Sequence, residues 1–112
     1  MNELVKLKTE NQISFISMDD GKANAMSVEM LESLNAALDE AERTGSVVIL
    51  SGRENVLSGG FDLGVFKSGD NAKILKMLTL GAELSHRMLS YPKPVIAACT
   101  GHAVAMGTFL LL

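Results

Sequence analysis

Two glycine-bearing loops hold the residues whose types and spacing could do chemistry. The first is Ser58-Gly59-Gly60 followed by Phe61-Asp62-Leu63, and the second runs from Gly101-His102 to Ala105-Met106-Gly107. Adjacent glycines allow positive φ and let a ligand approach the backbone closely. Such loops can aim main-chain N–H groups at a negatively charged or polarised oxygen. The candidate donors are the N–H of Phe61, just after the glycine pair, and the N–H of Met106. Met106 stands at the expected start of a helix, where the dipole favours negative charge. Two donors converging on one oxygen would stabilise an enolate or another oxyanion, often the largest single catalytic effect. Glycine-rich loops also serve as plain tight turns, so the residues alone leave both readings open.

Other chemistries have weaker support. His86, beside Arg87 on an expected helix, reads as a surface residue. His102 either touches a ligand or completes a turn. Ser58, His102 and Asp62 can be written as a triad, but these residue types co-occur by chance in most chains. Cys99 ends the apolar run Val95-Ile96-Ala97-Ala98 and reads as an inert core thiol. Asp62 is expected to cap a following helix or brace the loop. With isolated histidines and no carboxylate cluster at ligand spacing, no metal site is expected.

The elements that position these loops follow from hydrophobic pattern. Residues 47–50 are four apolar side chains, three of them β-branched, which suits a strand buried on both faces. Ser51-Gly52 breaks it and Arg53-Glu54-Asn55 turns it. Residues 95–99 form a second buried strand. Upstream, residues 4–7 and 13–18 read as two strands around a turn at 9–12, and Asp19-Asp20-Gly21-Lys22 is another turn. Ser27 caps a helix, with Met26 and Leu31 as a hydrophobic staple and Gly45 at its end. Met30, Leu31, Leu34, Ala37, Leu38 and Ala41 form its apolar stripe. A second long helix starts after Asp70 and carries apolar residues on more than one face, so it should pack on two sides. Tyr91-Pro92-Lys93-Pro94 ends it. The order β-β-α-β-loop-α-β-loop-α is an α/β arrangement without a dinucleotide fingerprint or a phosphate-loop sequence.

Bulk properties narrow the classes further. The 112 residues allow one domain at most. A composition of 47% hydrophobic and 21% charged residues argues against disorder. Net charge is −3 with no basic cluster, and aromatic content is 4% with no Trp, which argues against nucleic acid as a partner. A single cysteine suits a reduced, cytoplasmic setting. The first residues lack the apolar core of a signal peptide. Residues 95–112 carry no formal charge and approach the length of a membrane span, but Thr100, His102, Thr108 and the glycines interrupt them. Soluble core is the expected reading, with no membrane partner. Leu110-Leu111-Leu112 closes the sequence with nothing to cap a helix or cover an apolar face, so the chain reads as cut short.

Together the motifs resemble the enoyl-CoA hydratase/isomerase, or crotonase, family. Leu57-Ser58-Gly59-Gly60-Phe61-Asp62-Leu63 is similar to that family's F-S-A-G-x-D-L loop. Lys93-Pro94-Val95-Ile96-Ala97-Ala98, followed by Gly101-His102-Ala103-Val104-Ala105-Met106-Gly107, is similar to its K-P-V-I-A-A-V-x-G-x-A-x-G-G-G motif. Lys22-Ala23-Asn24-Ala25-Met26-Ser27 matches its N-A-L/M-S loop. The resemblance covers nearly the whole chain, with the motifs in the right order. It implies a crotonase-like (ClpP/crotonase) spiral of β-β-α turns, with residues 1–112 as the N-terminal part of one core domain. It implies acyl-CoA substrates, coenzyme A entering as part of the substrate with no tightly bound cofactor, and assembly as trimers or hexamers. The oxyanion donors would be the amides of Phe61 and Met106. Lys22, Ala23 and Ala25, with Gly60, Phe61, Asp62, Leu63 and Gly64, would line the coenzyme A site. The sequence departs from the family where hydratases carry a glutamate two residues past the third glycine: that position is Phe109. Isomerisation through a carboxylate beyond Leu112 is therefore the expected reaction, with hydration as the alternative. A non-catalytic acyl-CoA-binding or assembly module is the competing class.

Overall fold

The computed structural model describes residues 4–111, with no account of the Phe109 side chain. The chain opens with a hairpin of β1 (Val5–Glu10) and β2 (Ile13–Met18), paired antiparallel from Val5↔Met18 to Glu10↔Ile13. Its turn is shorter than the sequence suggests. Only Asn11 and Gln12 lie between the strands, at φ 52° and 68°. Positive φ at both positions matches the twist of the flanking strands, and asparagine tolerates it well. Two parallel neighbours extend the sheet: β4 (Val47–Ser51) pairs with β2, and β7 (Val95–Ala98) pairs with β4. The order is β1-β2-β4-β7. Parallel neighbours need a crossover connection, and each is bridged here through a long helix.

The first bridge is α1 (Val28–Thr44). Ser27 Oγ accepts from the Met30 N–H at 3.1 Å, as the cap assignment requires. Met26 and Leu31, the staple pair, are both fully buried. The stripe packs on the sheet face formed by Val5, Ile16, Met18, Val48 and Leu50. Gly45 closes the helix in an extended conformation, φ −126°, not the left-handed one usual for glycine caps. Here glycine answers a different need: a Cβ at this position would collide with Ser14 Oγ. The last carbonyls of α1 are satisfied by side chains from beyond the second bridging helix. Lys93 Nζ donates to Ala41, Glu42 and Gly45 oxygens, and Tyr91 Oη donates to the Leu38 oxygen. A cation at a helix C-terminus also complements the dipole.

The second bridge, α3 (Asn71–Ser90), starts at Asp70, whose carboxylate accepts from the Lys73 N–H at 3.1 Å. It packs beside α1, and only Met77, Gly81 and Leu84 are buried on it. The expected packing on more than one side is met only in part: α3 meets α1 and, at Gly81, the Phe61 ring and Met106. Leu75, Leu78 and Leu89 are exposed. The buried-strand expectations need the same correction. In β4 only Val48 and Leu50 are buried, and in β7 half-buried and exposed residues alternate. The helices cover one face of the sheet, leaving Phe15 and Ile96 on the other. Cys99, read from its apolar run as a core thiol, is exposed just past the end of β7.

Short elements complete the fold where the sequence suggested only loops. β3 (Ala25–Met26) pairs in parallel with β6 (Gly60–Phe61), and β5 (Asn55–Ser58) pairs in parallel with β8 (Gly101–Ala103). His102 therefore sits in an exposed strand and not in a turn. Two short helices, α2 (Leu63–Lys67) and α4 (Met106–Phe109), follow the two glycine loops. Among the described residues no helix is long and apolar enough to cross a membrane.

Candidate active site

The early loop at 19–26 is held by a carboxylate and an amide. Asp20 Oδ1 accepts from the N–H groups of Lys22 and Asn24 at 2.7 and 2.9 Å, and Oδ2 accepts from Ala25 at 3.0 Å. Partial burial alone would raise the Asp20 pKa. The N–H donors of Asn24, Lys22 and Ala25, with the Arg53 charge, outweigh it and hold the carboxyl below its ordinary range. Asn24 is fully buried at φ 53°. Its Nδ2 donates to the Met18 and Leu57 oxygens at 3.0 and 3.1 Å, and its Oδ1 accepts from the Asp20 N–H at 3.0 Å. Arg53 clamps the outside, reaching Asp19 Oδ1 at 3.0 Å and the Lys22 oxygen.

The first glycine loop is stitched to this frame. Gly59 N–H donates to the Ala23 oxygen at 2.7 Å. Ser58 Oγ is fully committed, donating to the Asn24 oxygen at 2.7 Å and accepting from the Gly60 N–H at 3.1 Å. That removes it as a free nucleophile and disposes of the triad with His102 and Asp62. Asp62 is a helix cap: its Oδ1 accepts from Gly64 N–H at 2.9 Å. Lys22, Ala23, Leu63 and Gly64 are exposed and Ala25 is half-buried, so the structure brings the early loop and the Gly60–Gly64 loop together along the β3–β6 pair.

The second glycine loop closes on the first. Val104 N–H donates to the Ser58 oxygen at 3.0 Å. Gly107 lies so close to Ser58 that a Cβ would come within 2.5 Å of its carbonyl oxygen. Gly60, at φ 91°, leaves no room either. A Cβ there would stand 2.9 Å from the Val104 oxygen, 3.1 Å from the Ala105 Cβ and 3.4 Å from the Met106 nitrogen. Backbone contact of this kind is available only to glycine. Met106 is the first residue of α4, so its N–H has no acceptor within the helix. The expected pairing of the loops is thus present, with Gly60 lying against Val104, Ala105 and the start of α4.

Beside this junction lies a cleft of about 540 Å³ that sequence reasoning did not foresee. Phe61 and Met106 line it together with Leu78, Ala82, Ser85, His86 and Leu89, which form its α3 wall. Leu78 and Leu89, exposed on α3 where further packing was expected, belong to this wall. Its signal in the sequence was the excess of apolar residues on α3. Asp20 and Asn24, which hold the loop geometry, were readable only as a turn residue and as one position of a short motif. Among the described residues no group of three or more His, Cys, Asp or Glu could hold a metal ion.

Comparison with known proteins agrees with these motifs. A family model for enoyl-CoA hydratase/isomerase matches residues 8–112. A probable enoyl-CoA hydratase from Bacillus subtilis is 31% identical over 111 residues, covering 96% of this chain and 43% of that protein. The structure of a probable enoyl-CoA hydratase from Mycobacterium tuberculosis superposes with a TM-score of 0.93 at 49% identity, covering 96% of this chain and 46% of that one. Another structure, described as an Mtb enoyl-CoA isomerase, gives 0.90 at 47% identity over 98% of this chain and 48% of that one. The chain therefore spans less than half the length of these relatives. Matched motifs, matched backbone and the family model lead to one conclusion: this chain has the α/β crotonase fold and belongs to the enoyl-CoA hydratase/isomerase family.

Proposed function

We propose that this chain supplies the thioester-activating half of an acyl-CoA-processing enzyme, with enoyl-CoA isomerisation as its reaction. The carrying observation is the contact between the two glycine loops, which sets Gly60 against the Met106 amide. In the reaction, a base removes a proton from C2 of a 3-enoyl thioester, and the electron pair delocalises onto the thioester oxygen. The N–H groups of Phe61 and Met106 stabilise that oxyanion, and return of the proton at C4 gives the conjugated 2-enoyl thioester. No side chain on the two loops is needed for this role, which fits a site where Ser58 and Asp62 are already engaged. The apolar cleft holds the acyl chain. The edge formed by Ala23, Ala25, Gly60, Phe61, Asp62, Leu63 and Gly64 holds the coenzyme A portion, with Lys22 as an exposed cation for its phosphates.

Isomerisation is favoured over hydration by Phe109, which occupies the position where the family's hydratases carry a glutamate. The test uses the full-length protein and 3-hexenoyl-CoA, following conjugation of the double bond by ultraviolet absorbance. Proline suits the first position of a helix but has no N–H, so Met106→Pro deletes one donor, with circular dichroism checking that Ala105, at φ 51°, accepts a following proline. Met106→Ala trims the side chain and keeps the donor. Turnover should fall by roughly 10²–10³ in Met106→Pro relative to Met106→Ala. Equal turnover in the two variants would refute the role of that amide, and hydration of crotonyl-CoA at the higher rate would reverse the choice of reaction.

A further inference from the structure

One turn of α3 touches both residues whose amides are assigned to the oxyanion. The Phe61 ring lies against Gly81, where a Cβ would stand 2.5 Å from Cζ and 2.6 Å from Cε1. The same point is 3.5 Å from Met106 Cε. One turn later Ser85 Oγ donates to the Gly81 oxygen at 3.0 Å and lies 3.9 Å from Met106 Sδ. The Phe61 ring also meets Phe66 edge-on, with centroids 6.3 Å apart. Glycine in the middle of a long helix is costly to the helix itself, yet Gly81 is one of only three buried residues on α3. Its absence of side chain is used to seat a ring whose own backbone belongs to the β3–β6 pair.

We propose that Gly81 is a positioning residue: by seating the Phe61 ring and the Met106 side chain on one turn of α3, it sets the spacing of the two amides. This rests on the oxyanion reading above. A methyl group at Gly81 must displace the tip of the ring, and the part of that shift not taken up by side-chain rotation would move the peptide plane that carries the Phe61 N–H. Misplacement of a catalytic group by about 1 Å can cost a hundredfold in rate.

The experiment compares Gly81→Ala, Phe61→Leu and the double variant Gly81→Ala/Phe61→Leu in the full-length protein with 3-hexenoyl-CoA. Alanine is the better helix former, so weakening of α3 does not account for a loss. Gly81→Ala should lower kcat roughly 10- to 100-fold with KM changed less than about threefold. The double variant should recover kcat above that of Gly81→Ala, because leucine lacks the ring atoms that the new methyl group meets. Should Gly81→Ala fail to fold, recovery of a folded, active double variant carries the same meaning. Unchanged kcat in Gly81→Ala overturns the proposal, as does a double variant no better than Gly81→Ala. Met106→Pro and Met106→Ala in the same assay separate the two ideas. If Met106→Pro is impaired and Gly81→Ala is not, the positioning role fails while the oxyanion reading stands.

Discussion

The loop junction and the outer face of α3 are built on opposite terms. At the junction, the buried side chains Asn24 and Ser58 each make two or more hydrogen bonds, and glycines allow backbone to touch backbone. On α3, Leu78 and Leu89 line an open cleft, and Leu75 is exposed. One region is closed by its own polar groups; the other is apolar surface awaiting something to cover. Under the proposed function, the difference separates two tasks. Aiming an amide needs a frame fixed on several sides, whereas holding an acyl chain needs greasy surface and little geometry.

The sharpest break of this contrast comes at Gly60. Gly60→Val places a side chain against Val104 and Ala105 and forces φ 91° on a β-branched residue. It should cost about 3 kcal/mol or more, read by urea unfolding of the full-length protein. A smaller loss would mean that the loops can part cheaply. Asn24→Ala comes next, since it orphans buried carbonyls at Met18 and Leu57, and about 2 kcal/mol is expected.

Asp20 gives a pH test of the same frame. Its carboxyl is held below the ordinary value near 3.8 in the folded chain. A depressed folded value means that the carboxylate contributes stability above the unfolded pKa, and that this is lost as pH falls through the folded one. Asp20→Asn should therefore destabilise the protein at neutral pH and flatten its stability profile below about pH 4. Parallel profiles for the two proteins would remove the carboxylate from the frame. The smallest effect belongs to the other region. Leu89 is 81% exposed, so Leu89→Ser should change stability by about 0.5 kcal/mol or less while raising KM for longer acyl chains. A loss near 2 kcal/mol would instead show that this face is covered in the full-length protein.

Much of the first region was legible from sequence. Ser27, Asp62 and Asp70 are caps because short polar side chains before apolar runs have few other uses, and all three are found capping. The glycine loops were legible because only glycine permits such backbone. Less visible was what the turn residues do. Asn24 read as one letter of a short motif, yet its amide joins Met18 to Leu57, and nothing local announces a partner 33 residues away. Lys93 likewise gave no sign that it would close the C-terminus of α1.

The sequence by itself determined the long helices with their caps, the main strands, the two glycine loops, the family motifs, and the absence of the hydratase glutamate at Phe109. These are local matters, governed by backbone freedom, side-chain period and residue chemistry. Tertiary structure alone decided which apolar faces are covered. It made a strand of His102, exposed Cys99 and turned the second face of α3 into a cleft wall. Burial depends on what another part of the chain brings alongside, and period alone does not distinguish an apolar face that will be packed from one that will bind.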